Sequence, residues 1–593
     1  MTTKETTIAA RVQAPAEGSG LRPAAQLAQP EGAQAVTRER KREAPRGRRP
    51  SVEALAAVRE VLAAAPRRRD MLIEYLHLLQ DRFGHLSADH LAALAQEMRL
   101  AQSEVYEVAT FYHHFDVVRE GDTAPPALTV RVCDSLSCAM HGAQDLLARL
   151  PAALGAEVRV IAAPCIGRCE QAPAVVVGQH PIPQATVERV QAAVAVGQTT
   201  RPAQAYIDRD AYEAGGGYAL LASCVDGGHS VDDIIQALSE SGLRGLGGAG
   251  FSAGRKWSIV RGEPAPRLLA INIDEGEPGT FKDRHYLETD PHRFLEGMLI
   301  AAWAVDAAAI YIYLRDEYHG CRAILERELA KIREHPPTAC LPEIHLRRGA
   351  GAYICGEESA MIESIEGKRG MPRLRPPYVA QVGLFGRPTL EHNLETLYWV
   401  REVVEKGAAW FASHGRHGRK GLRSFSVSGR VKVPGVKLAP AGITIRELIA
   451  EYCGGMQDGH AFYAYLPGGA SGGILPASMG DVPLDFDTLQ PHGCFIGSAG
   501  VIVLSDRDRA MDAARNMMRF FAHESCGQCT PCRNGTAKAS ALIEGPNWNL
   551  PLLTDLSQVM RDASICGLGQ AAPNPVDCVV RYFGHELDLK EGS

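Results

Sequence analysis

The sequence lacks an apolar run that is long and pure enough to cross a membrane. Its most apolar stretch, residues 295–314, carries Glu296 and Asp306, and a buried helix that runs into a strand explains it better. The first residues also lack a positively charged start followed by an apolar block, so no secretion signal is indicated. These absences argue against a membrane protein and make a cytoplasmic location the default expectation.

The chain also lacks an excess of either charge. It has 63 basic and 69 acidic residues, which give a formal net charge of −6. Domains that bind nucleic acid are usually strongly basic, and proteins that bind anionic surfaces carry basic clusters. The charge balance therefore gives no support to a nucleic-acid or membrane-surface partner.

The 593 residues are too many for one hydrophobic core, so several domains are expected. A first segment poor in large apolar residues predicts a disordered tail. Beyond it, helical spacing and strand-like runs divide the chain into regions of different type. The expected boundaries are 1–50 for the tail, 51–120 for a helical bundle, 127–200 and 205–421 for two α/β regions, 425–508 for a strand-rich region and 510–593 for a second helical region.

Fifteen cysteines are many for a reducing compartment, where metal binding and redox chemistry are more common than disulfides. Eight of them fall into two spaced sets. The other seven are scattered, and we interpret them as small apolar residues of the core. These seven are Cys224, Cys321, Cys340, Cys355, Cys453, Cys494 and Cys578.

The first set consists of two cysteine pairs, Cys133 with Cys138 and Cys165 with Cys169. Each pair follows a predicted strand of one small domain, so folding can bring the four sulfur atoms together. Four thiolates complete the ligation of a two-iron cluster. The spacing favours an iron–sulfur cluster, and a zinc site is the alternative.

The second set consists of three closely spaced cysteines and one distant one, Cys526, Cys529, Cys532 and Cys566. This arrangement is typical of a cluster of four irons and four sulfides. Zinc is again the alternative, but a third cysteine so close to the first two is crowded for a tetrahedral ion.

Glycine is concentrated in one stretch around Gly245, Gly247 and Gly250. A backbone without side chains can lie against a phosphate or a planar ring, with its N–H groups donating. The glycine spacing matches the dinucleotide fingerprint, but that motif must follow a strand, and residues 231–239 have helical spacing. We therefore predict a different cofactor-binding loop, with Lys256 placed to meet a phosphate or an acidic group. A plain flexible loop is the alternative.

Two acidic turns follow the glycine-rich stretch. Residues 272–284 follow a predicted strand, at the end where the ligands of α/β sheets gather. Residues 349–358 combine glycines with a tyrosine and two glutamates. Carboxylates and amides accept hydrogen bonds from ribityl and ribose hydroxyl groups, which predicts a nucleotide-like ligand. A solvated acidic turn is the alternative for each.

With these motifs in order, the chain resembles a fusion of two subunits of respiratory complex I. Residues 52–200 resemble the 24-kDa-type subunit, and residues 205–590 resemble the 51-kDa-type flavoprotein subunit. Both cysteine sets, the glycine-rich stretch and residues 353–358 carry this likeness.

Within this group, the chain looks most like the β subunit of soluble NAD-dependent molybdenum or tungsten formate dehydrogenases. The fused layout and residues 243–256, 347–370 and 466–473 carry that likeness. Diaphorase subunits of NAD-reducing hydrogenases share the fused layout, but some of them have lost cysteines of the first set.

The resemblance implies a multidomain α/β and α+β fold. A helical bundle and a thioredoxin-like 2Fe–2S domain come first, followed by an FMN- and NAD-binding α/β domain. A ubiquitin-like β-grasp domain of the SLBB type and a C-terminal helical bundle with a 4Fe–4S cluster complete the chain. FMN, NAD(H), one 2Fe–2S cluster and one 4Fe–4S cluster are the implied cofactors.

The resemblance also implies which residues contact the cofactors. The implied FMN contacts are Gly245, Gly247, Gly248, Lys256, Asn272, Asp274, Tyr353, Gly356, Glu357 and Asn393. The implied NAD(H) contacts are Phe251, Lys256, Glu277, Glu358 and Tyr378. We assign Glu277 and Glu358 to the catalytic site, and the charge of Glu358 is expected to disfavour the 2′-phosphate of NADP.

A hydride carries two electrons, whereas an iron–sulfur cluster takes one at a time and a flavin can do both. The resemblance therefore implies electron flow from a formate-oxidising partner through the 4Fe–4S cluster and FMN to NAD⁺, reversibly. The implied partner is a large molybdenum or tungsten subunit with further iron–sulfur clusters. A hydrogenase diaphorase or a complex I fusion is the alternative with the same chemistry. A non-enzymatic iron–sulfur electron carrier is the alternative from another class.

Overall fold

The computed structural model describes residues 47–339 and 341–587. Most of the predicted tail, Cys340 and residues 588–593 lie outside the described residues. The described part alternates helical regions with three larger sheets, so the fold is multidomain α/β, as expected. None of the helices in these residues combines the length and the apolar composition that a bilayer crossing requires.

The first region is a helical bundle around one short parallel strand pair. Its elements are α1 (Val52–Leu62), α2 (Leu72–Phe83), β1 (Leu86–Ser87), α3 (Ala88–Met98), α4 (Gln102–Phe111) and β2 (Val117–Val118). The side chains of Ser51 and Ser87 accept hydrogen bonds from backbone N–H groups and start α1 and α3. The apolar face of α2, which includes Leu72, Leu76 and Leu79, is fully buried.

The second region is a four-stranded sheet flanked by helices. Its elements are β3 (Leu128–Cys133), α5 (Leu136–Met140), α6 (Ala143–Leu154), β4 (Val158–Ala163), β5 (Val175–Val177), β6 (His180–Ile182) and α7 (Val187–Ala195). The strand order is β4-β3-β5-β6, with β3 and β4 parallel and the other pairs antiparallel. Both cysteine pairs of the first set lie at one edge of this sheet, where β3 and β4 end.

The third region contains a four-stranded parallel sheet. Its helices before the first strand are α8 (Arg209–Ala214), α9 (Ala219–Val225), α10 (Val231–Ser241) and α11 (Ala253–Gly262). The next elements are β7 (Arg267–Ile273), α12 (Lys282–Thr289), α13 (Pro291–Val305), β8 (Ala307–Leu314), α14 (His319–Glu334), β9 (Glu343–Arg348), α15 (Glu358–Ile365), β10 (Thr389–Asn393), α16 (Leu394–Tyr398), α17 (Val400–Lys406) and α18 (Ala408–Ala412). The strand order is β10-β7-β8-β9, and every neighbouring pair is parallel.

The apolar stretch noted in the sequence is a buried helix followed by a strand, which confirms the prediction. It covers most of α13 and all of β8. Glu296 is fully buried in this helix because Tyr212 donates a hydrogen bond to its carboxylate at 2.6 Å and Arg401 lies 3.4 Å away. Asp306 ends α13 in the left-handed conformation. Glu296 therefore has polar partners and Asp306 lies at a turn, so neither charged residue contradicts burial of the stretch.

The fourth region is a five-stranded mixed sheet with one short helix. Its elements are β11 (Leu422–Gly429), β12 (Gly435–Pro440), α19 (Ile445–Glu447), β13 (Phe462–Leu466), β14 (Leu475–Pro476) and β15 (Gly500–Ser505). The strand order is β12-β11-β15-β13-β14. β11 and β15 are parallel neighbours at the centre, and both are buried along their length.

The last region is helical. Its elements are α20 (Ala510–Glu524), α21 (Thr530–Ile543), α22 (Leu550–Ala563), α23 (Gly567–Ala571) and α24 (Asn574–Tyr582). Met511, Ala514, Met518 and Phe521 of α20 are buried on one face. The cysteines of the second set lie at the starts of α21 and α23, where two loops meet.

Candidate cofactor cavity and cysteine sites

The carboxyl ends of the four parallel strands meet along one edge of the sheet. Asn272 and Asn393 are register partners on β7 and β10. Arg315 follows β8 directly, and the turn that leads to Tyr353 follows β9. Parallel α/β sheets bind their ligands at this edge, so the topology gathers polar side chains from four separate segments of the chain.

A cavity of about 420 Å³ opens over this edge. That volume lies within the roughly 300–1,000 Å³ range of small-molecule and cofactor sites. Nearly all of the predicted cofactor contacts line it. They are Gly245, Gly247, Gly248, Phe251, Lys256, Asn272, Asp274, Glu277, Tyr353, Gly356, Glu357, Glu358 and Asn393. Tyr378 is not among the lining residues and is 55% exposed, so its contact with NAD(H) stays a prediction.

The glycine-rich stretch forms one wall of the cavity with its backbone. It follows a helix, α10, as predicted, and it runs into α11. The N–H of Gly245 donates to the carbonyl of Phe251 at 2.7 Å, which closes the loop on itself. A Cβ at Gly247 would lie 2.9 Å from Cβ of Asn393, closer than side chains normally approach. Glycine is therefore required where the loop meets the strand ends.

Asp274 provides a buried acceptor that suits a hydroxyl-bearing ligand. Among the described residues, its Oδ2 atom has no hydrogen-bond partner although it is buried. Burial raises the pKa of Asp274 well above its usual range. An unpaired buried polar group costs about 1–3 kcal/mol, and a hydroxyl group both donates and accepts. This orphaned atom and the glycine wall fit the ribityl chain and the planar ring of FMN.

Glu277 is held in place by donors from two other segments. Its Oε1 atom accepts hydrogen bonds from the backbone N–H and the hydroxyl of Ser471, each at 2.7 Å. Its Oε2 atom accepts a short hydrogen bond from the hydroxyl of Tyr353. Burial raises the pKa of Glu277, and these hydrogen bonds oppose the rise. The carboxylate is thus fixed at the cavity wall in one orientation.

The neighbouring glutamates have different surroundings. Glu357 accepts hydrogen bonds from two backbone N–H groups at the start of α15 and so caps that helix. Arg375 contacts Glu357 and lies 2.8 Å from Glu358, and Lys256 lies 3.9 Å from Glu358. Two cations therefore offset the charge expected to exclude the 2′-phosphate of NADP. That exclusion stays a prediction, which the ratio of NADPH to NADH turnover tests in Glu358→Gln.

The four cysteines of the first set converge, as their spacing predicted. All four are buried. The sulfur atoms of Cys165 and Cys169 are 3.3 Å apart. Cys133 lies within hydrogen-bonding reach of both Cys138 and Cys165. Four sulfur atoms around one point fit a two-iron cluster.

The loop between Cys165 and Cys169 is docked on the parallel sheet. Arg315 donates to the carbonyl of Cys165 at 2.7 Å, and Arg284 donates to the carbonyl of Gly167 at 2.9 Å. Gly167 has a φ of 70°, and a Cβ there would overlap the hydroxyl of Tyr318. These contacts fix the first cysteine site against the strand edge that carries the cofactor cavity.

The second cysteine set also converges on one pocket. Cys529 and Cys566 immediately precede α21 and α23, and Cys532 lies in the first turn of α21. Together with Cys526 they line a common cavity. Three clustered thiolates closed by a fourth from another loop fit a four-iron cluster.

The cofactor cavity lies between the two cysteine sites and shares walls with both. Ile354 and Leu568 line the cavity and the pocket of the second set. Asp274, Gly276 and Tyr353 line the cavity and a smaller space that reaches Cys165. A ligand in the cavity would therefore share wall residues with each cysteine site.

Comparisons with known protein families assign each site. The family described as "Nuo51 FMN-binding domain" matches residues 238–402. The family described as "Thioredoxin-like [2Fe-2S] ferredoxin" matches residues 58–197. The family described as "NADH-ubiquinone oxidoreductase-F iron-sulfur binding region" matches residues 512–590. The three matches cover most of the cofactor cavity and both cysteine sets.

Individual relatives extend these matches. The chain is 41% identical over 390 residues to the F 2 subunit of the NADH-quinone oxidoreductase of Rhizobium meliloti (strain 1021), across 63% of this chain and 92% of the relative. The chain belongs to this family of NADH-quinone oxidoreductase flavoprotein subunits. The mitochondrial NADH dehydrogenase [ubiquinone] flavoprotein 1 of Dictyostelium discoideum is 40% identical over 406 residues, across 65% of this chain and 84% of the relative.

A solved structure matches more of the chain than these relatives do. A chain in the crystal structure of a NAD⁺-reducing [NiFe]-hydrogenase in the H₂-reduced state has 33% identity and a TM-score of 0.76. The match covers 88% of this chain and 93% of that chain. It therefore extends beyond the portion that the two flavoprotein relatives match.

Membership of the flavoprotein family, with the additional thioredoxin-like domain, fixes the cofactors. They are FMN, NAD(H), one 2Fe–2S cluster and one 4Fe–4S cluster, as predicted. The chain is an NADH-oxidising flavin and iron–sulfur oxidoreductase subunit. The two iron–sulfur clusters are thereby confirmed, and their ligation by these two cysteine sets stays a prediction.

The structure of this flavoprotein shows cavity residues that the sequence did not indicate. Glu391 and His392 of β10, Arg375 and Ser471 all line the cavity. β10 is short and carries charged and polar residues, so its sequence is not typical of a buried parallel strand. Burial, followed by the charge of Glu358, raises the pKa of Glu391, and no local sequence pattern indicates that these two residues are close.

The scattered cysteines are buried, as predicted, at six of the seven positions, and Cys340 lies outside the described residues. Two of them are not isolated. The sulfur atoms of Cys494 and Cys578 are 3.5 Å apart, between the fourth and last regions. Sequence spacing could not indicate this pair, because 84 positions separate its members.

In the FMN-free protein, the stability of Glu391→Gln relative to the wild type is expected to increase as the pH rises. Burial, followed by the charge of Glu358, raises the pKa of Glu391 from 4.5 to about 8. Between these values the unfolded chain releases a proton that the folded chain keeps, so the wild type loses stability as pH rises through this window. Glutamine does not titrate and keeps the acceptor for Asn272.

The melting temperature of Glu391→Gln relative to wild type should therefore increase by at least about 2 °C between about pH 5 and about pH 8. Glu334→Gln, at an exposed glutamate, serves as the matched control and should show no such trend. A difference in melting temperature between Glu391→Gln and wild type that does not change with pH would contradict the raised pKa of Glu391.

Proposed function

We propose that this chain is the NAD(H)-binding subunit of a soluble NAD-dependent formate dehydrogenase. Electrons from a formate-oxidising molybdenum or tungsten partner reach NAD⁺ through this chain, and the flow is reversible. The observation that carries the redox role is the position of the cofactor cavity between the two cysteine sites, with Ile354 and Leu568 as its only shared wall residues toward the second site among those described.

The assignment to a formate dehydrogenase rests on the likeness of several segments of this chain to the β subunits of such enzymes. These are the fused layout, the glycine-rich stretch at residues 243–256, and residues 347–370 and 466–473. All four cysteines of the first set are present. All three of these segments line the cavity, through residues such as Gly247, Glu358 and Ser471.

The residues of the chain bind and orient the reactants. FMN, when bound, exchanges a hydride with NAD(H) and single electrons with iron–sulfur clusters. The glycine wall and Asp274 are suited to hold it. Glu277, fixed by Ser471 and Tyr353, and Glu358 present carboxylates on the side open to the nucleotide. The hydride step needs no general acid or base from the protein, so these carboxylates position the nucleotide.

The alternative partner is a hydrogenase subunit. The match to the hydrogenase chain over 88% of this sequence supports that alternative, since it includes the fused layout. A complex I fusion has similar support from the NADH-quinone oxidoreductase relatives. An iron–sulfur carrier without flavin does not account for the FMN-binding domain.

Purification of the assembled enzyme separates these partners. We expect a copurifying large subunit with molybdenum or tungsten and formate-dependent NAD⁺ reduction. The isolated chain should reduce ferricyanide with NADH but should not oxidise formate. Nickel in the large subunit with hydrogen-dependent NAD⁺ reduction would overturn the formate assignment while leaving the NADH-oxidising role intact.

A further inference from the structure

Three metal-ligating side chains meet between the helical bundle and the last region, outside both cysteine sets. His113 follows α4, and His523 and Glu524 are the last residues of α20. Each offers one ligand atom within 4.8 Å of the other two. The Nδ1 atoms of His523 and His113 lie 3.2 and 4.0 Å from Oε1 of Glu524. The centroids of the two imidazole rings are 4.2 Å apart.

The carboxylate of Glu524 is oriented before any ion binds. Its side chain is only 3% exposed. Its Oε2 atom accepts a hydrogen bond from the backbone N–H of Tyr353 at 3.0 Å, so Oε1 is left facing both imidazoles. Zinc bonds to nitrogen and oxygen are about 2.0–2.2 Å long, so two ligands of one ion lie at most about 4.4 Å apart. The distances to Oε1 are within that limit.

The surroundings also favour ligation. The side chains of His113 and His523 are 43% and 52% exposed, which gives an ion a path from solvent.

A second group of the same composition lacks these properties. His77, His114 and Asp316 also lie within ligand distance of one another. The carboxylate of Asp316 already accepts a hydrogen bond from the guanidinium of Arg348 at 2.5 Å, and it lies 2.7 Å from Nδ1 of His114. A second cation beside Arg348 would be repelled. This buried group is better explained as an ion-paired contact between the bundle and the parallel sheet.

We propose that His113, His523 and Glu524 form a binding site for zinc or a similar divalent transition metal. Two imidazole nitrogens and one carboxylate oxygen are ligands that Zn²⁺ prefers, whereas Mg²⁺ and Ca²⁺ prefer oxygen alone. Three protein ligands leave a position for water. The ion ties α4 to α20 immediately before the second cysteine set.

Zinc binding to the intact, flavin- and cluster-loaded chain tests this proposal. Equilibrium dialysis against Zn²⁺ should show about one ion bound per chain, with the iron and FMN contents unchanged. His113→Asn and His523→Asn should each weaken zinc binding at least about tenfold. His335→Asn is the matched control, because His335 is exposed beside Glu334 without a third ligand among the described residues.

The unchanged iron and FMN contents of the variants show that they fold. Zinc affinity equal to wild type in both His113→Asn and His523→Asn would overturn the proposal. Zinc uptake that is accompanied by loss of iron would also overturn it, because the ion would then occupy a cysteine site. Neither outcome bears on NADH oxidation. The zinc site can therefore be disproved without disproving the proposed function of the chain.

Discussion

Replacement of Cys566 by serine is expected to separate the two activities of this chain. NADH-dependent reduction of ferricyanide should persist, because a small acceptor reaches the cofactor cavity from solvent. Electron exchange with the large partner should fall to background. The physical reason is the loss of the fourth thiolate, which reaches the second set from a separate loop. A serine hydroxyl is a poorer ligand than the thiolates that hold iron–sulfur clusters.

Iron analysis measures this effect directly. The iron content should drop from about six to about two atoms per chain, because only the 2Fe–2S cluster remains. Cys453→Ser provides the matched control, since Cys453 is buried but belongs to neither cysteine set. It should keep about six irons. Equal loss of both activities in Cys566→Ser, or full iron retention, would contradict the assignment.

Alanine at Gly247 is expected to weaken FMN binding at least about tenfold, which corresponds to about 1.4 kcal/mol. The added Cβ would lie 2.9 Å from Cβ of Asn393, so either the glycine wall or the end of β10 must move. Both elements line the cofactor cavity. A displacement at either side therefore changes the space that the flavin fills.

Flavin fluorescence after heat release measures the FMN content of this variant. Gly262→Ala is the matched control, because a Cβ at Gly262 meets nothing within 4 Å among the described residues. It should bind FMN like the wild type. Full FMN occupancy and affinity in Gly247→Ala would show that the backbone at this position is not in the binding wall.

The sequence predicted the features whose residues lie close together along the chain. The cysteine sets are recognisable by their spacing, and the glycine-rich stretch by its composition. The rejection of a Rossmann loop was correct because the helical period of residues 231–239 is itself local, and α10 stands there. The boundaries assigned to the domains stay predictions.

The features that the sequence did not predict depend on contacts between distant segments. Glu391 reaches the cavity only because β10 pairs with β7, across more than a hundred positions of sequence. Ser471 reaches Glu277 from the fourth region, at a separation of 194 positions. Such partners have no local signal, since a single serine or glutamate is also typical of solvated surface.

Arg375 illustrates the same limit for electrostatics. The sequence indicates the negative charge of Glu358 and a lysine, Lys256, placed to meet a phosphate or an acidic group, but it does not indicate Arg375 beside Glu358. Arg375 and Lys256 reach Glu358 from two different segments. The net field at the nucleotide side is therefore a property of the folded arrangement.

The FMN content of anaerobically prepared, fully metallated protein tests the central claim most directly. The arrangement of the cavity between the two cysteine sites predicts about one FMN per chain and loss of the oxidised flavin absorbance when NADH is added. Protein that holds both clusters yet contains no FMN, and that takes up none when FMN is supplied, would contradict it.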